Sequence, residues 1–249
     1  MVIIESLRKQ YGRTIACDIK RLTFNDGEII GLVGNNGAGK TTLFRLMLDL
    51  TNADNGKVSL TSPSLPRRPD STPVRINVAG SEDWKLFTGA YLDESFLIDY
   101  LTPEEYFEFV ARLSCADRKT ATEQLSGKSS WLDGCGIMGS GKLIRELSAG
   151  NRQKIGITAA LLHTPSTVIL DEPFNFLDPQ SQARLINLLK DYNRQTGATI
   201  IVSSHNLANI AEICTRIILM ENGTIINDIP NNGDTASSIL HDYFQDSRQ

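Results

Sequence analysis

"EIIGLVGNNGAGKTTLFRLMLDL", residues 28–50, decides how the rest of the chain is read. Its first six residues are an apolar run of the kind that forms a buried strand, and "TTLFRLMLDL" places apolar residues at helical spacing. Between them lies a glycine loop, "GNNGAGKTT" over residues 34–42. Phosphate binding needs this order: glycines let backbone N–H groups curl around the phosphates, and the following helix turns its positive end towards them. Lys40 is then placed to reach the β and γ phosphates, and Thr41 to offer a hydroxyl to Mg²⁺.

A second stretch, "GIMGSGKL" over residues 136–143, carries glycines and a lysine at similar spacing. It follows "SSWLDGC", which is no buried strand, and Leu143 stands where the metal-binding hydroxyl belongs. Its glycines are read as serving a loop. One cradle is expected, at 34–42.

The chain has 249 residues, 41% of them hydrophobic, enough for a substantial core. A net charge of −4 argues against nucleic acid as a partner, because such surfaces carry a basic excess. The four cysteines, Cys17, Cys115, Cys135 and Cys214, form no CxxC pair and have no histidine beside them. They read as buried or incidental thiols in a reducing compartment. No signal-peptide core and no spanning apolar run is present, so a cytosolic location is expected, with any membrane role supplied by a partner.

Further pieces follow in order. "LSAGNRQK", residues 147–154, precedes a helical stretch that stops at Pro165, and Ser148 is a candidate N-cap. "TVILDEP", residues 167–173, is an apolar strand ending in two carboxylates. Successive strand residues face opposite ways, so Asp171 and Glu172 can divide the work, one holding Mg²⁺ and the other activating water. "FNFLDP" comes next, and "TIIVSSHNL" sets His205 directly after another apolar strand. His163 and His241 read as structural.

Together these pieces resemble the ATP-binding subunit of an ABC transporter, from "LRKQYG" at 7–12 to "ENGTIIND" at 221–228. Residues 34–42 are similar to the Walker A loop, "LSAGN" to the LSGGQ signature, "VILDEP" to Walker B, "FLD" to the D-loop and His205 to the switch histidine. The resemblance implies a P-loop NTPase fold of the RecA-like α/β kind: a mostly parallel sheet, an N-terminal antiparallel β subdomain and an inserted α-helical subdomain. It implies one ABC ATPase domain over 1–249, with the α/β core at 1–92 and 151–228, a helical signature subdomain at 93–150 and a tail at 229–249.

The site follows residue by residue from the same resemblance. Asn35, Asn36, Gly37, Ala38, Gly39, Lys40, Thr41 and Thr42 would hold ATP, with Tyr11 stacked on adenine. Thr41 and Asp171 would hold Mg²⁺, and Glu94, in "GAYLDESF" at 89–96, would touch the metal from the Gln/Glu loop. Glu172 would be the general base, and His205 would align the γ-phosphate and the attacking water. Ser148 and Gly150 of one copy would cap the phosphate gripped by another in a head-to-tail dimer, homodimeric or paired with a second ABC ATPase, and Asp178 would communicate across it. Ala149 and Asn151 depart from the family's glycine and glutamine.

The implied function is an ATPase powering a separate transmembrane permease, bound peripherally at the inner face of the membrane. "LTPEEYFEFVARL" at 101–113 and "LSAGNRQKIGITAALL" at 147–162 look most like exporter subunits of the ABC-2 kind. The alternative is a soluble ABC ATPase of a cytosolic assembly. In 101–113, Thr102, Pro103 and Glu105 have the form of a capping box, and Phe109, Val110 and Leu113 read as a core stripe. The alternative there is a groove near Tyr100 and Tyr106 that receives a permease helix. "TSPSLPRRPDSTPVR", residues 61–75, carries four prolines and reads as a surface excursion.

Overall fold

The computed structural model describes residues 1–61, 73–113, 131–132, 136–205 and 207–231. Most of the proline-rich excursion, Cys115, Cys135, His241 and the tail from residue 232 lie outside the described residues.

Two sheets organise the chain. Strands β1 (Val2–Tyr11), β2 (Thr14–Phe24), β4 (Asn55–Thr61) and β5 (Arg75–Asn77) form an antiparallel sheet in the order β2-β1-β4-β5. Strands β3 (Ile29–Val33), β6 (Thr88–Tyr91), β7 (Thr167–Leu170), β8 (Thr199–Ser204), β9 (Arg216–Glu221) and β10 (Thr224–Pro230) form the other, in the order β10-β9-β3-β8-β7-β6. Its pairs are parallel except β9 with β10. Strands β3, β7 and β8 are buried along their whole length, as apolar runs such as Ile29–Val33, Val168–Leu170 and Ile200–Val202 require in a sheet covered on both faces.

The register places the site. Val33 is opposite Ser204, and Leu170 is opposite Val202. The loops that begin at Gly34, Asp171 and His205 therefore leave the same edge of the sheet side by side. This is the carboxyl end of the parallel strands, where α/β folds bind ligands.

Helix α1 (Lys40–Met47) lies between the two sheets. Its Leu43, Phe44 and Met47 pack in one cluster with Ile4, Ile19 and Val58 of the antiparallel sheet and with Ile30, Ile201 and Ile218 of the parallel one. Helices α3 (Ala149–Leu161), α4 (Pro179–Thr196) and α5 (Leu207–Ile213) contribute to a second cluster, which includes Ile155, Leu185, Ile210 and Val168.

Helix α2 (Pro103–Leu113) starts with the expected box: the Thr102 N–H donates to the Glu105 carboxylate at 2.9 Å, and the Glu105 N–H donates to the Thr102 hydroxyl at 3.3 Å. Its packing face corrects the sequence reading. Tyr106, Phe107 and Ala111 enter the core, whereas Phe109 is 43% and Leu113 66% exposed. A periodic stripe fixes the spacing of a helix's apolar positions but not which of two adjacent faces meets the core, and this helix is apolar on both.

Candidate functional site

The loop after β3 is built by close approach. Gly39, at φ +107°, caps α1, and a Cβ there would lie 2.3 Å from the Ala16 carbonyl oxygen, so only glycine fits. The Ala38 N–H donates to the Asn35 carbonyl at 3.0 Å. The turn between β9 and β10 braces the loop from outside. The Gly223 N–H donates to the Ala38 carbonyl at 2.9 Å, and the Asp18 N–H of β2 donates to the Gly223 carbonyl at 2.7 Å.

Lys40 is buried at the first position of α1. Its Nζ donates to the carbonyls of Gly34 at 2.6 Å and Asn35 at 3.4 Å and stands 3.6 Å from Glu172 Oε1. The Thr41 hydroxyl donates to Asp171 Oδ2 at 2.6 Å, and the Ser203 hydroxyl donates to Asp171 Oδ1. Burial pushes the Asp171 carboxyl above its ordinary range, and these two hydroxyls pull against that rise. Glu172 Oε2 accepts from His205 Nδ1 at 2.9 Å, since a carboxylate only accepts, and from the His205 N–H at 3.3 Å. Lys40, Thr41, Asp171, Glu172 and His205 thus form one constellation on three adjacent loops.

Ser148 and Gly150 stand apart from it. Ser148 caps α3, its Oγ accepting from the Asn151 N–H at 3.3 Å. With Lys154, Phe176, Leu177 and Asp178, they line a depression of about 370 Å³. A Cβ on Gly150 would lie 2.6 Å from the Phe176 carbonyl oxygen, so the start of α3 fits against the 174–178 loop only through glycine. Phe176 is 73% exposed beside it. Asp178 caps α4: it accepts from the Ser181 N–H at 2.9 Å and the Ser181 hydroxyl at 2.7 Å, and those bonds hold its carboxyl below the usual range.

The other expected residues are placed as follows. Tyr11 ends β1, half exposed, with Lys9 Nζ 5.3 Å from its ring centroid and its hydroxyl 3.5 Å from that of Thr51. Glu94 lies in a short 3-10 turn after β6 and pairs with Arg152 of α3 at 2.8 Å. In the second glycine stretch, the Gly139 N–H is taken by the Glu104 carboxylate at 2.5 Å, and Ile137 is fully buried. With the Glu104 carboxylate on that amide, Ile137 in the core and Leu143 in place of the metal-binding hydroxyl, this stretch is a loop packed on α2.

Sequence reading missed two residues beside Glu172. Ser203 receives the Glu172 N–H at 2.8 Å, and the Gln153 side-chain amide donates to the Glu172 carbonyl at 3.1 Å. A polar residue inside the all-buried strand β8 was the available signal for Ser203; Gln153 gave none, lying in a helix buried nearly all round.

A glycine loop between a parallel strand and a helix, with two carboxylates at the end of the parallel strand two places away, defines a P-loop nucleoside triphosphatase. Comparison with known proteins narrows the class. The family model "ABC transporter" matches residues 18–175, and a shorter AAA-domain model matches 143–211. An ABC transporter ATP-binding protein of Bacillus subtilis, YhaQ, is 30% identical over 90% of this chain and 69% of its own length. The bacitracin transport ATP-binding protein BcrA of Enterococcus faecalis is 30% identical over 90% of this chain and 68% of its own length. The methionine import ATP-binding protein MetN of Mesorhizobium japonicum is 29% identical over 92% of this chain and 60% of its own length. Among solved structures, a dimeric bacterial ABC transporter cassette, MJ0796, superposes with a TM-score of 0.76 at 23% identity, over 94% of this chain and 100% of that one. An ATP-binding subunit of an ABC transporter gives a TM-score of 0.79 at 22% identity, over 96% and 94% of the two chains.

The chain belongs to the ABC transporter ATP-binding family. It is an ATP-binding, ATP-hydrolysing subunit of that family, with the fold of its cassettes. No helix among the described residues is long and apolar enough to cross a membrane.

Proposed function

We propose that this subunit hydrolyses ATP between two head-to-tail copies and passes the resulting closure and opening to a separate membrane permease. The observation that carries the proposal is the division of the chain into two half-sites: Lys40, Thr41, Asp171, Glu172 and His205 in one place, Ser148 and Gly150 in another.

In this reading Lys40 and the N–H groups of residues 35–41 grip the β and γ phosphates, and Tyr11 stacks on adenine. The Thr41 hydroxyl and the Asp171 carboxylate are hard oxygen donors already 2.6 Å apart, which suits Mg²⁺, and they would hold it; Glu94 would approach it only after leaving Arg152. Mg²⁺ bound there supplies neutralisation of charge on the β and γ phosphate oxygens. Glu172 takes a proton from water as the water oxygen bonds to the γ phosphorus and the bond to the bridging oxygen breaks, leaving ADP and phosphate. His205, already on the Glu172 carboxylate, steadies the base and the γ-phosphate.

The cap comes from the second copy. Exposed Ser148 and the first N–H groups of α3 present donors and a positive helix end to an anion. A hydrogen bond to a charged group contributes about 1.5–3 kcal/mol, so a few at each of two sites hold a closed dimer, and loss of the γ-phosphate releases it. Exposed Phe176 and Asp178 lie on the same surface, where a partner would cover them. Ser148→Ala is expected to weaken ATP-dependent dimers while monomers keep their affinity for nucleotide. Sedimentation with and without ATP checks this; undiminished dimers would remove Ser148 from the cap.

The permease face is proposed at a cavity of about 540 Å³ between the core and α2, lined among others by Leu50, Leu86, Phe96, Tyr106, Val110 and Leu113. Four of these six, Leu50, Leu86, Phe96 and Leu113, are at least half exposed, an apolar surface larger than scattered residues make. Tyr100 stands outside it, stacked under Arg145 at 4.7 Å. A Phe96→Asp/Leu113→Asp variant is expected to keep soluble ATPase activity and to lose co-purification with a multi-span membrane protein. Retained co-purification would move the contact elsewhere. Transport relatives of the bacitracin and methionine import types match equally, at 30% and 29% identity, so the exporter expectation gains no support over import. Both names are of transport, which favours the permease reading over a cytosolic assembly.

A further inference from the structure

Glu172 is held in the left-handed region, at φ +46°. For a residue with a Cβ this conformation is unfavourable and persists only where the surroundings over-determine it. Both polar groups of its peptide are tied to side chains from distant parts of the chain. Its N–H donates to Ser203 Oγ at 2.8 Å, and its carbonyl accepts from Gln153 Nε2 at 3.1 Å as well as from the Asn175 N–H at 3.1 Å.

Each tie has a fixed direction. Ser203 is completely buried, and an N–H can only donate, so the hydroxyl must accept from Glu172 and its single proton is left for Asp171. Gln153 is oriented by Tyr91, whose hydroxyl donates to Gln153 Oε1 at 2.9 Å, leaving the amide nitrogen to face Glu172. Tyr91 is itself fixed against Gly156, where a Cβ would lie 2.1 Å from its ring, and burial keeps its phenol protonated as a donor. The strained peptide is thus fastened from β8 on one side and from α3, through β6, on the other.

We propose that Ser203 and Gln153 are positioning residues that clamp the Glu172 peptide from both ends and so fix where its carboxylate sits. The proposal rests on Glu172 being the base. It also joins α3, the helix that begins at Ser148, to the backbone of that base, so a shift of α3 moves the carboxylate.

The test is steady-state hydrolysis of Mg·ATP and equilibrium binding of a fluorescent ATP analogue by the full chain. The parent is compared with Ser203→Ala, Gln153→Leu, Glu172→Gln and the two doubles carrying Glu172→Gln, with melting curves to select folded variants. Misplacing a catalytic group by about 1 Å can cost about 10²-fold, so Ser203→Ala is expected to lower kcat about 10- to 100-fold, and Gln153→Leu less, because Asn175 still holds the carbonyl. Nucleotide affinity should stay within about threefold, and neither change should slow the Glu172→Gln protein further, since residues acting through one group do not add. Losses that multiply in the Glu172→Gln background would overturn the clamp, because Ser203 would then be acting through Asp171 and not through the base. So would folded single variants that turn over at the parental rate; if one variant does not fold, the other decides. Slow Glu172→Gln with fast single variants defeats the clamp alone, whereas Glu172→Gln at the parental rate defeats the base assignment and the clamp together.

Discussion

Glu172→Gln is expected to bind ATP with nearly the parental affinity and to hydrolyse it about 10²–10⁴-fold more slowly, the usual loss when a general base is removed. The substitution keeps size and shape. It also keeps an oxygen that can accept from His205, now 2.9 Å from the carboxylate, so the local fold has little reason to change. What it removes is the proton acceptor and the negative charge 3.6 Å from Lys40. Without that charge, Lys40 has one competitor fewer for phosphate, so affinity should not fall. Single-turnover hydrolysis with equilibrium nucleotide binding checks both halves. Near-parental turnover would falsify the assignment of Glu172.

Lys40→Met is expected to lose binding as well as turnover. Loss of one charge-assisted hydrogen bond costs about 1.5–3 kcal/mol, or roughly 10- to 150-fold in affinity. Removing a donor aimed at developing charge lowers kcat by about 10²–10³-fold more. The fold should largely survive, since methionine fills the same buried channel. The Gly34 carbonyl, which accepts from Lys40 Nζ at 2.6 Å, loses that partner, and a buried group left unpaired costs about 1–3 kcal/mol. Titration with a fluorescent nucleotide and a melting curve separate the two effects. Parental affinity in a folded Lys40→Met protein would take this lysine out of the phosphate grip.

The contrast between these substitutions shows what kind of information the sequence carries. Local order was legible. The strand, loop and helix of residues 28–50, the box of Thr102 and Glu105, and the Ser148 cap all depend on neighbours within a few residues, and the structure contains each of them. The second glycine stretch was separable for the same reason, because no apolar run of strand type precedes it in the sequence. Contacts between distant segments were not legible. Glu172 and Ser203 are 31 residues apart, and although a serine in an apolar strand marks Ser203, nothing in the sequence names Glu172 as its partner. The Arg152 partner of Glu94 and the exposed side of α2 depend likewise on how elements pack, which composition and spacing leave open.

The position of α1 has a mechanical consequence. Its flank is wedged between two sheets in a single apolar cluster, and the loop that leads into it is tied at Ala38 to Gly223, which is itself bonded to Asp18 of β2. A helix held on both flanks is not loosened by fraying of a hairpin or a terminus, so its amides are expected to exchange only with global opening. The anvil is therefore stiff, and a push on the loop at 34–40 is carried into both sheets at once.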